Sequence, residues 1–222
     1  MLEAYALKHC DSDIRAASRS GGLFTAVSDL ILELDGVVYG CELQNCREAV
    51  HIRATTKEQR NACRGSKYIQ SKMFEMFDQI QMDLKNGRWV LFTGTACQVA
   101  AVADFCKNED CTKLLLVDIV CHGVPSPTVW NDYLAFVSKR HRKEIAAVDF
   151  RDKQTYGWAA HKDTVTFADG AKFSADIFTQ LFYAHYILRE ACFDCPYRNT
   201  HRVGDITIAD CWGITQHYPK FD

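Results

Sequence analysis

Cys192 and Cys195 form a C-x-x-C pair on the turn after a helical stretch, a spacing that lets two thiolates converge on one centre. Two further thiols stand at the ends of apolar runs, Cys97 in TGTACQ and Cys121 in DIVCHG. In a parallel sheet the loops at the carboxyl ends of neighbouring strands lie side by side, so Cys97 and Cys121 can meet although distant in sequence. With the C-x-x-C pair they would supply the four thiolates of a [4Fe–4S] cluster. Two other readings stay open. One is a zinc knuckle from Cys192, Cys195, Cys211 and His201 or His217, the metal core of a non-catalytic interaction module; the other is simple buried thiols. A thioredoxin-type pair fits less well, because its C-x-x-C opens a helix directly after a strand.

Ser20, Gly21 and Gly22 precede a helical pattern, where exposed amides and the helix dipole favour an anion; an unliganded cap explains them equally. RGSKYIQS adds the cations Arg64 and Lys67, the small residues Gly65 and Ser66, the ring of Tyr68 and the hydroxyl of Ser71. Such a mixture suits a nucleotide or flavin, and also a solvated turn around a packed tyrosine. His122, beside Cys121, is a candidate proton donor near a flavin, or a loop histidine. Arg151, Lys153, Gly157 and Trp158 lie near a substrate or form a solvated basic strand end, and Asp205 and Asp210 cap local backbone.

The elements that must position these groups alternate. Helical spacing covers residues 23–34, with Leu23, Val27, Leu30, Ile31 and Leu34 on one face, and then 71–85, 97–106, 128–143 and 176–190. VVYGCEL, RWVLFTGT and KLLLVDIV read as buried strands, and TVTFADGAKFSA as a hairpin turning at Asp169-Gly170. The expected fold is α/β: a mixed, partly parallel sheet with flanking helices, plus a hairpin-containing C-terminal part with a Cys-rich loop. We expect one domain over 1–222, with a sub-boundary near 147 and a truncated end after HYPKFD.

Bulk properties narrow the function. A chain of 222 residues buries roughly 70% of its unfolded surface without help from disulfides. The net charge of −2 favours neither nucleic acid nor an acidic membrane as partner. Neither a membrane-spanning run nor a secretory signal is recognisable, which points to the cytoplasm. Eleven cysteines in such a chain argue against a disulfide scaffold. Most of Cys10, Cys41, Cys46, Cys63, Cys106 and Cys111 read as small core residues.

Taken in order, SRSGGLFTAVSDLIL, VVYGCEL, RGSKYIQS, VLFTGTACQVA, VDIVCHGVPSP, FRDK with GW, the C-x-x-C and GDITIADCWGI resemble the coenzyme F420 hydrogenase/dehydrogenase beta subunit family. The resemblance spans essentially the whole chain. It implies an oxidoreductase with FAD and one [4Fe–4S] cluster, carrying electrons between them and a redox partner such as ferredoxin, with coenzyme F420 or another small molecule as substrate. It implies Cys97, Cys121, Cys192 and Cys195 as cluster ligands. The flavin segments it implies are residues 20–22, residues 65–68 with Ser71, and Thr93, Gly94 and Thr95. Three departures stand out: Ala96 replaces the usual proline, Cys211 is an extra thiol, and no ferredoxin-like cysteine run is present. The last implies that electrons come from a separate protein.

Overall fold

The computed structural model describes residues 3–219. The chain opens with α1 (Ser12–Ala17), capped by the Asp11 carboxylate, and α2 (Leu23–Glu33), entered through Gly22 at φ 86°. A hairpin follows, β1 (Val37–Gln44) and β2 (Glu48–Ala54), then α3 (Lys57–Asn61) and the short β3 (Ser71–Lys72). Next come α4 (Met76–Lys85), β4 (Val90–Thr95), α5 (Ala96–Cys106), β5 (Leu114–Ile119) and α6 (Pro127–His141). The last third holds β6 (Ile145–Asp149), α7 (Lys153–Tyr156), β7 (Asp163–Phe167) and β8 (Lys172–Ala175). It continues through α8 (Ile177–Tyr183), α9 (Glu190–Phe193), β9 (Ile206–Ile208) and α10 (Ile214–His217).

The strands form a six-stranded sheet, ordered β3-β2-β1-β4-β5-β9, and a three-stranded sheet, β6-β7-β8. In the larger sheet only β1 and β2 run antiparallel. The smaller one is an antiparallel meander. This is the mixed α/β architecture with a separate hairpin that the sequence pattern suggests.

The central strands open on apolar residues because both faces are covered there. Val37 and Tyr39 of β1 and Val90 and Phe92 of β4 pack on one side with Ile80 of α4 and Val99 and Val102 of α5. The intervening Val38 and Leu91 pack on the other side with Ile31 of α2 and Val117 of β5. A period of two along a strand thus feeds two cores at once. A third core joins Trp130 and Leu134 of α6 to Phe150, Val165 and Phe167 beside the small sheet.

Several elements depart from the sequence pattern. Residues 71–85 are not one helix: β3 pairs with β2 before α4 begins. The 176–190 stretch breaks after Tyr183, where His185 takes φ 66°, and α9 starts separately. On α2 only part of the expected apolar stripe is buried: Ile31 is, and Val27 packs on the same core, but Leu30 and Leu34 are half exposed. The buried side carries Thr25 and Ser28, which serve the buried guanidinium of Arg60: Nη1 donates to the Thr25 carbonyl (2.9 Å) and to the Ser28 hydroxyl, and Nη2 to Asp29 (2.6 Å). A buried cation needs such pairing, so polar residues displaced the leucines from that face.

Candidate redox site

The carboxyl ends of β4 and β5 lie in parallel register, Thr95 opposite Ile119, so the chain leaves both strands at one edge. Cys97 sits in the first turn of α5 and Cys121 two residues beyond β5. Cys192 lies in α9 and Cys195 just past it. Desolvation pushes the Cys121 thiol up to about 11, and the thiols of Cys97, Cys192 and Cys195 each add to the rise, while the Gly123 carbonyl contact opposes it. Although Cys121 is exposed as a residue, its sulfur has all three other thiols within electrostatic reach. Gly123 makes the approach possible: its φ is 133°, and a Cβ there would lie 3.0 Å from Leu188 and 3.4 Å from the Cys192 Cβ.

Among the described residues, no three His, Cys, Asp or Glu side chains gather tightly enough to hold a single ion. A four-iron cube makes a different demand, placing its cysteine sulfurs on separate corners on the order of 6–7 Å apart. The thiols of Cys97, Cys121, Cys192 and Cys195, from a strand end, a helix start and a C-x-x-C turn, are a donor set of the type such a cube takes. Cys211, the extra thiol, is exposed. Of the thiols assigned to the core, Cys63 and Cys106 are buried and Cys41 and Cys46 half-buried, but Cys10 and Cys111 are exposed.

Cys97 ends a directed hydrogen-bond chain that the sequence did not reveal. His51 Nε2 donates to the Thr93 carbonyl (3.1 Å), which leaves Nδ1 to accept from the Ser71 hydroxyl (3.0 Å). Ser71 accepts from Gln98 Nε2 (2.7 Å), and Gln98 Oε1 accepts from the Thr95 amide (3.0 Å) and hydroxyl (3.1 Å). Thr95 Oγ1 in turn stands 3.1 Å from Cys97 Sγ. His51 stacks on Phe92, and burial lowers its pKa to about 4, so it is neutral.

Three of the expected flavin segments meet around β1. A Cβ on Gly40 would lie 2.9 Å from the Cys63 Cβ and 3.4 Å from Thr93 Oγ1, so glycine lets the loop carrying Arg64, Gly65 and Ser66 close onto β4 beside Gly94. Arg64 Nε donates to Thr25 Oγ1 (3.1 Å), tying that loop to the first turn of α2, next to Gly21 and Gly22. Lys67 is turned inward: its Nζ donates to the carbonyls of Ala62 (3.1 Å) and Arg64 (2.8 Å), and desolvation lowers its pKa. Tyr68 stacks on Phe182 at 5.1 Å and lies 3.3 Å from Arg151 Nη1. The ring of His122 lies 5.0 Å from Phe182, 5.1 Å from Tyr183 and 4.7 Å from His185. Partial burial and then His185 hold its pKa below the usual value.

The basic strand end is the other gathering point. Arg151 pairs with Asp210 (3.0 Å), Arg19 Nη2 donates to the Trp158 carbonyl (2.6 Å), and Trp158 Nε1 donates to Ser20 Oγ (3.2 Å). Asp210 is thus an ion-pair partner for Arg151, whereas Asp205 does cap backbone, accepting from the Leu116 amide (2.8 Å). Lys153 Nζ caps the end of α1, donating to the carbonyls of Arg15 and Ser18 (2.6 Å each).

Comparison with known proteins places these features. The family described as the C terminus of the coenzyme F420 hydrogenase/dehydrogenase beta subunit matches residues 87–220. That span contains all four thiols, His122, Arg151 and Trp158. No curated protein matches the chain. Among solved structures, a chain of the F420-reducing [NiFe] hydrogenase complex from Methanosarcina barkeri is similar in fold, with a TM-score of 0.59 at 18% identity. The similarity covers 88% of this chain and 69% of that one. Among the described residues, no helix is long and apolar enough to cross a membrane.

Proposed function

This chain belongs to the coenzyme F420 hydrogenase/dehydrogenase beta-subunit family, and from that premise we propose that it is an oxidoreductase module holding one [4Fe–4S] cluster and FAD. In this reading Cys97, Cys121, Cys192 and Cys195 bind the cluster, and a small molecule, coenzyme F420 or another, exchanges electrons with the flavin. The observation that carries the proposal is the convergence of three thiols on Cys121 at the carboxyl edge of β4 and β5. The cluster would supply one-electron and the flavin two-electron chemistry.

The chain's own contribution is placement. Burial first, and then the three neighbouring thiols, make Cys121 resist ionisation; a cationic iron core held by these residues would reverse that penalty. The chain from His51 to Thr95 fixes the strand end that leads into Cys97. Ser20, Gly21, Gly22, Arg64, Gly65, Ser66, Tyr68, Ser71, Thr93, Gly94 and Thr95 are the flavin-side segments, with Lys67 acting as a brace for that loop. His122 adjoins the thiols by sequence and the Tyr183 ring by contact, where a proton donor near the flavin would serve.

A redox protein such as ferredoxin would dock at the C-x-x-C turn. Phe193, Asp194 and Arg198 are exposed there, and Arg198 Nη1 holds the Phe193 carbonyl at 2.8 Å. The test is reconstitution with FAD, iron and sulfide, followed by an assay of flavin reduction with and without reduced ferredoxin. Reduction that depends on ferredoxin is expected. Rapid turnover with NADPH alone, indifferent to ferredoxin, would overturn the partner assignment.

A further inference from the structure

Arg19 and Arg151 come from opposite ends of the sequence and lie close enough that Arg151 depresses the Arg19 pKa, after desolvation as the main cause. Lys153 feels the Arg19 charge in the same sense. Among the described residues, only Asp210 forms an ion pair with Arg151. The Arg151 side chain is 5% exposed, yet its Nε has no hydrogen-bond partner, and neither do the buried Nε and Nη1 of Arg19. Buried donors are nearly always paired, and buried like charges need an anion between them.

The surroundings are aromatic. Trp158 and Trp212 meet at a tilt with centroids 4.2 Å apart, His161 stacks on Trp212 at 5.5 Å, and the Arg151 guanidinium lies 5.5 Å over the Trp212 ring. His161 also meets Tyr183 edge-on at 4.9 Å, and both line a cleft of about 540 Å³ with Lys162, Asp176, Thr179 and Gln180. Two more buried polar atoms there lack partners, His161 Nδ1 and Thr179 Oγ1. The arginines and indoles adjoin this cleft through His161, which lines it and stacks on Trp212; an aromatic and cationic cluster with orphaned polar atoms beside a cleft has the make-up of a small-molecule site.

We propose that Arg19 and Arg151, flanked by Trp158, Trp212 and His161, bind the phosphate of a planar, phosphorylated small molecule. Guanidinium donors match phosphate oxygens, and the indoles supply a face for a conjugated ring. This deepens the flavoprotein reading, since the phosphate belongs either to the flavin itself or to a second molecule beside it, but the site stands without a cluster.

The test measures binding of FAD, riboflavin and inorganic pyrophosphate to wild type, Arg19→Gln and Arg151→Lys, using the quenching of tryptophan fluorescence. Circular dichroism confirms that each variant is folded. Loss of one charge-assisted phosphate contact weakens binding by about 10- to 150-fold. If the phosphate is the flavin's own, Arg19→Gln loses affinity for FAD and not for riboflavin, and pyrophosphate competes with FAD. If it belongs to a second molecule, FAD-saturated wild type still binds pyrophosphate, and Arg19→Gln loses that binding alone. Arg151→Lys, which keeps the charge but not the fork, falls between wild type and Arg19→Gln in either case. Pyrophosphate bound through Arg19 by a protein that takes up no flavin would refute the flavoprotein reading and leave this site standing. Folded variants that bind all three probes as wild type does would overturn the proposal.

Discussion

Two polar regions of this molecule are finished to different degrees. At the end of β4, none of the atoms linking His51, Ser71, Gln98 and Thr95 is among the buried groups without a partner. Around Arg19 and Arg151 the buried donors outnumber their acceptors. A satisfied network holds a strand end rigidly, so that a thiol such as Cys97 is presented in one geometry. An unsatisfied one carries an electrostatic cost that a bound ligand relieves. In the proposed reading the contrast separates the cluster, the resident group, from a ligand that completes its own site.

The largest effect that would break this comparison is loss of the resident group. Cys121→Ser and Cys192→Ser should each lower bound iron and sulfide to a small fraction of wild type after anaerobic reconstitution, whereas Cys10→Ser should change neither. Iron retained in full by both ligand variants would falsify the four-thiol assignment.

The finished side should also show itself in pH dependence. The folded pKa of His51, about 4, lies below the ordinary 6.5, so between these values the unfolded chain takes up a proton that the folded chain refuses. The stability linked to His51 is therefore complete above pH 6.5 and is lost as pH falls toward 4, by up to about 3 kcal/mol. Urea unfolding of wild type and His51→Gln across that range measures it, and the variant should have the shallower slope.

Gln98→Ala removes the middle of the chain, leaving Ser71 without its donor and Thr95 without its acceptor. The expected cost is about 1–3 kcal/mol in the same unfolding measurement. A cost near zero would mean that water replaces the amide and that the network does not stiffen the site. The smallest effect is expected at the docking rim: Arg198→Glu should slow ferredoxin-dependent flavin reduction by at most about tenfold, more at low salt than at high, with cofactor content unchanged.

Much of the scaffold is legible in the sequence because its signals are local. Continuous apolar runs mark β1, β4 and β5, and Asp169-Gly170 marks the β7–β8 hairpin. β2 gives no such signal, because EAVHIRA interleaves charged residues with apolar ones and buries its histidine for a hydrogen bond, not for hydrophobicity. The break after α8 depends on a positive φ at His185, a residue type that gives little warning of one. The thiols are legible through spacing and the parallel-sheet rule, which brings Cys97 and Cys121 to one edge. The chain from His51 to Cys97 is not, since each member is an ordinary polar residue and only tertiary folding aligns them. The charge of Lys67 suggests a phosphate ligand; its donation to the Ala62 and Arg64 carbonyls depends on a loop path that spacing does not encode. Arg19 carries no signal of its own, because its neighbours Arg151 and Trp158 arrive from the far end of the chain.

The most direct measurement is the absorption spectrum of protein purified without oxygen, read with its iron, sulfide and FAD content. The account predicts flavin bands on a broad iron–sulfur shoulder, with about four iron atoms per chain. A protein featureless in the visible, without flavin and with at most one bound metal ion, would contradict it.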